Sequence, residues 1–303
     1  MSKLRHGIAI RLSGGLANQL FQVSFGEFMS EKLNKNVRYY RYSTSHSRFF
    51  RLPNLDILQS CGIQVETKAK SFAGSYLERI LDYCLRQFPV LQRLFKIHVP
   101  TEIGYSIDVS DALAFNDFRG HYQSYIYAKA LLSKINFDSL HTSEWFDEMR
   151  ATLENGSNTV AIHIRRGDYT SLANYYGLLS ADYYVNALKE IKKSFEPNDI
   201  YIFSDDPVSA RKLLSNSIKR VIFVEPPKES TAIESMRLMG LCNALVLANS
   251  TYSWWAAALS PRKQLVVSPE PWLLGNESPL ELMPPEWLRI AANWEKEDVD
   301  NMP

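Results

Sequence analysis

From Thr159 onward, short apolar runs rich in β-branched residues alternate with longer segments of helical period. The runs are "TVAIHI", "DIYIFS", "RVIFVE", "ALVLA" and "QLVVS", and segments such as "SADYYVNALKEIKKSF" and "DPVSARKLLSNS" lie between them. This alternation predicts βαβ units, and therefore an α/β domain whose parallel sheet is covered by helices on both faces. The first half opens the same way. Strand "GIAIRL" leads through the turn "SGGLANQ" into a helix with an apolar stripe of Leu20, Phe21, Phe25, Phe28, Met29 and Leu33, and then into strand "NVRYYRY". Beyond residue 44 the pattern weakens. It leaves helices near 54–60, 75–88 and 123–135 and fixes no topology. The polar, turn-rich "ENGSN" at 154–158 marks a boundary, giving domains 1–155 and 156–303.

Length agrees with two domains, because 303 residues is about twice the usual size of one hydrophobic core. Composition removes several classes of function. A net charge of +1 with 22% charged residues is not that of a polybasic protein, so nucleic acid is not an expected partner. Cys61, Cys84 and Cys242 are scattered, odd in number and without a CxxC pair, which argues against a disulfide framework or a zinc site. The basic start has a short apolar run that breaks at Arg11, a poor signal peptide, and no run approaches the ~18 apolar residues of a membrane helix. The expected setting is the cytoplasm. Residues 76–99 mix bulky apolar side chains with Arg79, Arg86, Arg93 and Lys96. They read first as core helices broken at Pro89, and alternatively as a peripheral contact with the anionic inner face of a membrane.

In open parallel sheets ligands bind beyond the carboxyl ends of the strands. Three such ends carry chemistry: "HIRRGD" (163–168), "FSDD" (203–206) and "ANSTYSWW" (248–255). Strand alternation puts His163 and Arg165 on one side and Arg166 on the other. The Arg165 fork suits a phosphate, while Arg166 suits an ion pair with Asp168 or with a carboxylate across the sheet. Structural ion pairs for both arginines are the plainer alternative. Asn249 or Ser250 suits the N-cap of a helix whose first-turn N–H groups form an anion site, with Trp254 and Trp255 in the core. Adjacent Asp205 and Asp206 point apart, so a metal pair is not expected, and Asp206 suits either a helix cap before Pro207 or a guanine edge. In "SGGLANQL" Gly14 and Gly15 allow close backbone approach, and Asn18 and Gln19 suit sugar hydroxyls. The loop lacks the lysine of a P-loop and the GxGxxG spacing.

Taken in order, "GGLANQLFQ", "GHYQS", "HIRRGDY", "SADYYVNAL", "FSDD" and "MRLMGLCNALVLANSTYSWWAAAL" resemble the bacterial α-1,2-fucosyltransferases of glycosyltransferase family 11. The matching blocks run from about residue 8 to 272, and 44–115 carries no matching pattern. The resemblance implies a GT-B fold, two Rossmann-like domains facing across a cleft. It implies inverting transfer of L-fucose from GDP-β-L-fucose to the 2-hydroxyl of a terminal β-galactoside, in oligosaccharide or O-antigen synthesis, without metal or other cofactor. It places His163 near the guanosine, Arg165 on the β-phosphate, Asp206 on the guanine, and Asn249, Ser250, Thr251 and Ser253 around the diphosphate. Gly14, Gly15 and Asn18 would approach the donor from the other domain, and Gln19 and Gln123 the acceptor. A cation aimed at the leaving diphosphate can replace a metal ion. The base is not fixed by the pattern: Asp168 is the best candidate, and late proton loss to water or phosphate is the alternative. A transferase with another donor or linkage, and a non-catalytic glycan- or nucleotide-binding protein, are the competing readings.

Overall fold

The computed structural model describes residues 7–43, 55–69, 72–100, 107–137, 140–275, 278–279 and 281–295. The chain forms two units, one of residues 1–141 with 279–284 and one of residues 142–278 with 285–303.

In the first unit the elements follow as β1 (Ile8–Arg11), α1 (Leu16–Leu33), β2 (Val37–Ser43), α2 (Leu55–Ser60), β3 (Val65–Ala69), α3 (Phe72–Gln87), α4 (Pro89–Phe95), β4 (Ile97–His98), α5 (Val109–Ala112), β5 (Asp117–Phe118) and α6 (Tyr125–Leu132). The sheet is parallel in the order β3-β2-β1-β5-β4. α1 is buried over more than its predicted stripe, with Gln22 and Ser24 also inside, because its polar groups find partners: Ser24 Oγ donates to the Leu20 carbonyl (2.7 Å) and Gln22 Nε2 to the Gly120 carbonyl (3.0 Å). Phe25 stacks on Tyr122 at 3.9 Å between ring centroids, with Phe118 and Tyr127 edge-on to it.

Alongside the buried Leu85, a cluster of charges docks α3 in this unit. Arg119 binds Asp82 and Asp117 at 2.9 Å each and Glu78 at 3.3 Å, and Arg11 binds Asp82 at 2.6 Å. Tyr40 Oη donates to both oxygens of Asp117 at 2.9 Å. Arg11 ends β1, Tyr40 lies midway along β2 and Arg119 directly follows β5, so one cluster joins three strands to one helix. Residues 279–284 return to this unit late in the chain: the Tyr125 N–H donates to the Glu281 carbonyl (2.8 Å), and Leu282 and Met283 are buried.

The second unit contains α7 (Glu144–Asn155), β6 (Thr159–Ile164), a 3₁₀ turn (Gly167–Leu172), α8 (Ala173–Tyr176), α9 (Ala181–Lys192), β7 (Asp199–Ser204), α10 (Pro207–Leu214), β8 (Val221–Phe223), α11 (Ala232–Leu241), β9 (Ala244–Val246), α12 (Thr251–Ala258), β10 (Leu265–Glu270) and β11 (Leu288–Ala291). Its six strands are parallel in the order β11-β10-β9-β6-β7-β8. β6 is buried at every residue, as expected of a central strand covered on both faces. Trp254 and Trp255 are buried as anticipated.

The division falls at 141/142 and not at 155/156, because α7 belongs to the second unit. Glu234 Oε1 accepts from the backbone N–H of Ser143, the N-cap of α7, at 2.5 Å, and Oε2 accepts from Thr231 N–H, the N-cap of α11, at 2.6 Å. One buried carboxylate thus serves two helix starts. The "ENGSN" turn is only the exit from α7 into β6.

Candidate functional site

In the second unit, β6→β7→β8 runs outward in one direction and β9→β10→β11 in the other, so the strand order reverses between β6 and β9. The three strand ends singled out from sequence belong to β9, β6 and β7, which are adjacent at this switch point, where α/β sheets bind ligands.

Arg165 follows β6 and lies between two carboxylates. Nη1 binds Asp205 at 2.9 Å and Nη2 binds Asp168 at 2.5 Å, and its guanidinium carbon sits 5.2 Å from the Tyr169 ring centre. Asp168 is 66% exposed against 21% for Asp205, so Asp168 is the partner that an incoming anion can replace. Arg166 turns the other way, as strand alternation requires. It is buried, donates to the Leu179 carbonyl at 2.7 Å and pairs with Glu295 at 2.9 Å. Its carboxylate partner therefore comes from beyond β11, and Asp168 belongs to Arg165.

The two aspartates of "FSDD" separate as their backbone dictates. Asp205 Oδ1 accepts from the Arg166 backbone N–H (2.9 Å) while Oδ2 holds Arg165. A Cβ on Gly167 would lie 2.2 Å from Asp205 Oδ2, so only glycine lets that carboxylate reach both arginines. Asp206 caps α10: Oδ1 accepts from Ser209 N–H (3.1 Å) and Oδ2 from Ser209 Oγ (2.6 Å). These hydrogen bonds, the hydroxyl's first, hold its carboxyl below the usual range. Among the described residues no three His, Cys, Asp or Glu side chains are grouped to hold a metal ion.

Ser250 is the N-cap of α12, its Oγ accepting from Tyr252 N–H at 3.3 Å, and Thr251 opens the helix. Asn249 Nδ2 donates to the Tyr176 carbonyl (2.9 Å), and Ser253 Oγ donates to the Ser250 carbonyl (3.1 Å). The side chains of Asn249 and Ser253 are thus engaged within the fold, and what this turn offers an anion is the first-turn backbone N–H groups. Tyr169 Oη donates to the Asn249 carbonyl at 3.1 Å, which ties the turn after Arg165 to the turn before α12. Tyr169 stood in the quoted motif, but nothing in the pattern gave it this bridging role.

His163 is buried, 5.5 Å from the Tyr252 ring, and its Nδ1 has no partner among the described residues. Burial, helped by the Arg165 charge, lowers its pKa to about 3. His98, buried at the end of β4, is lowered to about 4 mainly by burial. Both are protonated more readily in the unfolded chain, near the ordinary 6.5. The unfolded state therefore binds more protons below pH 6.5, and stability rises with pH through the window from about 3 to 6.5. The stabilisation is complete above that window and is lost as pH falls through it. Urea midpoints at pH 7, 6 and 5 are expected to fall in that order, and His163→Phe is expected to flatten the fall in the second unit.

In the first unit β1 and β5 are parallel neighbours, and the residues predicted to contact sugar gather beyond their ends. Gly14 adopts φ +75°, and a Cβ on it would lie 2.9 Å from Asn18 Nδ2, so the turn requires glycine twice over. Gly15 is the N-cap of α1. Gln123, which follows β5, donates from Nε2 to Asn18 Oδ1 at 3.1 Å, and Gln19 Nε2 donates to the Gly14 carbonyl at 2.8 Å. The buried Oε1 atoms of Gln19 and Gln123 have no partner among the described residues. Two buried acceptors without donors beyond neighbouring strand ends suit the hydroxyls of a sugar. Gln22, which holds the Ser13 N–H and the Gly120 carbonyl, braces the same turn. It lay inside the "GGLANQLFQ" block without an assigned role.

Among solved structures, the fold is similar to that of NodZ α-1,6-fucosyltransferase soaked with GDP-fucose, with a TM-score of 0.50 and 12% identity over 91% of this chain and 100% of that one. Paired parallel-sheet α/β units of this kind are those of the GT-B-type glycosyltransferases. More narrowly, the chain belongs to glycosyl transferase family 11, whose profile matches residues 115–290, from just before β5 to the last strand. It is similar to the α-1,2-colitosyltransferase of Escherichia coli (28% identity, 93% of this chain and 98% of that protein). It is also similar to the O-antigen biosynthesis glycosyltransferase WbnK of Escherichia coli (27%, 92% and 99%). Galactoside 2-α-L-fucosyltransferase SEC1 of Bos taurus matches over a shorter stretch (26%, 48% and 42%).

Proposed function

We propose that the protein transfers L-fucose from GDP-β-L-fucose to the 2-hydroxyl of a terminal β-galactoside, with inversion, in O-antigen or oligosaccharide synthesis. The observation that carries this reading is the Arg165 fork at the β6–β9 switch point, held by one sheltered and one exposed carboxylate. A diphosphate oxygen takes the place of Asp168 on Nη2 while Asp205 keeps the guanidinium aimed. As the C–O bond to the anomeric carbon breaks, the electron pair leaves with GDP, and a preorganised cation and helix N–H groups stabilise that charge. The acceptor oxygen forms the new bond from the opposite face in one displacement. The displaced Asp168 is then available to take the acceptor's proton. His163, neutral and with Nδ1 unmet, suits a polar edge of the guanosine, and so does any part of Asp206 that its cap leaves open.

A second reading is favoured by the similarity to a colitosyltransferase across nearly both full lengths: the same linkage, made with a colitosyl donor. A panel pairing GDP-fucose and a colitosyl donor with Galβ1,3 and Galβ1,4 acceptors decides between them. Product from neither donor, with binding intact, would sink both readings in favour of a non-catalytic glycan-binding protein. We further propose that no metal takes part, since Arg165 and the α12 N-terminus supply the positive charge. Excess EDTA is expected to leave the rate unchanged, and a loss restored by manganese or magnesium would refute it.

A further inference from the structure

α3 is built inside out for a surface helix. Its acidic residues, Glu78 and Asp82, face inward to Arg11 and Arg119, while Tyr76, Ile80 and Tyr83, spaced to share one face, are exposed. The same holds for α4, where Gln92 is buried and donates to the Leu85 and Val99 carbonyls (3.0 and 2.9 Å) but Val90 and Leu94 are 74% and 72% exposed. The segment was expected first to form core helices broken at Pro89. The break is there and Leu85 is in the core, but most of the bulky apolar residues are on the outside. Clustered exposure of this kind marks an interaction surface.

Charge selects the occupant. Arg79, Arg86, Arg93 and Lys96 are all exposed, and the only acids of the two helices are Glu78 and Asp82, both turned inward. The face therefore presents apolar and aromatic side chains beside four cations and no exposed carboxylate of its own helices. A second copy docked through the same patch would set cation against cation. An anionic lipid surface satisfies both halves, taking the apolar side chains below its headgroups and the cations among them. No helix of the described residues is long and apolar enough to cross a membrane. We propose that α3 and α4 form a peripheral membrane-docking surface that binds anionic bilayers.

The test is sedimentation of the full chain with sucrose-loaded vesicles of phosphatidylcholine alone or mixed with phosphatidylglycerol. Binding is expected to the mixed vesicles at low ionic strength and to weaken with salt. Arg79→Gln with Arg86→Gln should weaken it by roughly fivefold per charge. Val90→Ser with Leu94→Ser should weaken it without lowering the melting temperature, because both side chains are already in water. No sedimentation with the mixed vesicles, or equal binding to phosphatidylcholine alone, overturns the proposal. So does a dimer in solution that Val90→Ser with Leu94→Ser converts to monomer, since it would assign the face to a second copy.

Discussion

Arg165→Lys is expected to lower turnover by about 10²–10³-fold while leaving thermal stability close to that of the parent. Lysine keeps the charge but replaces a rigid planar fork with a compact ammonium whose three donors radiate from one atom. The native guanidinium spans Asp205 at 2.9 Å and Asp168 at 2.5 Å, and an ammonium on a shorter reach cannot keep Asp205 and still present a donor to a phosphate. Losing one preorganised donor to a developing anion costs about 2.7–4 kcal/mol. Arg166→Lys is the control. Its side chain is buried against Glu295 and the Leu179 carbonyl, so its loss should appear in the melting temperature more than in turnover. An active Arg165→Lys beside a folded but inactive Arg166→Lys would exchange the two roles.

Arg119→Met is expected to carry the largest stability cost in the first unit. Removing one member of a buried ion cluster strands the charges it served, at about 3–5 kcal/mol. The low end applies, because Asp82 keeps Arg11 at 2.6 Å while Asp117 keeps only the Tyr40 hydroxyl. At about 2–4 °C per kcal/mol, a calorimetric transition of the first unit should fall by roughly 6–12 °C. A change under about 1 °C would mean that the cluster contributes nothing net.

The central strands of the second unit were legible because continuous apolar runs such as "TVAIHI" leave few alternatives once bounded by polar turns. β11, with the exposed sequence "LRIA", and β3, with "VETKA", sit at sheet edges where charged residues are tolerated and erase the signal. β4 and β5 have two residues each, too few for any period. Within the site, the three strand ends were readable from residue type alone, but not their pairings. Nothing local tells Arg165 that its partner is Asp205, forty positions on, or Arg166 that its partner is Glu295, because those contacts depend on strand order. The helix expected at 75–88 forms, but of its apolar residues Leu85 is in the core while Tyr76, Leu77, Ile80 and Tyr83 are exposed. Its mixture of bulky apolar and basic residues does not say which side faces inward, and that is set by Arg11 and Arg119, which claim its acids. Residues 44–54, 70–71 and 101–106, part of the patternless stretch, lie outside the described residues.

The late return of residues 279–284 to the first unit has a consequence for the order in which the protein can be made. The start of α6, at Tyr125, waits for the Glu281 carbonyl, which leaves the ribosome roughly 150 residues later, on the order of ten seconds at common rates of synthesis. The second unit's strands β6 to β10 are complete by then. The first unit is begun first and finished almost last, so a nascent chain that stops before Pro279 leaves unfinished the half of the protein that was translated earliest.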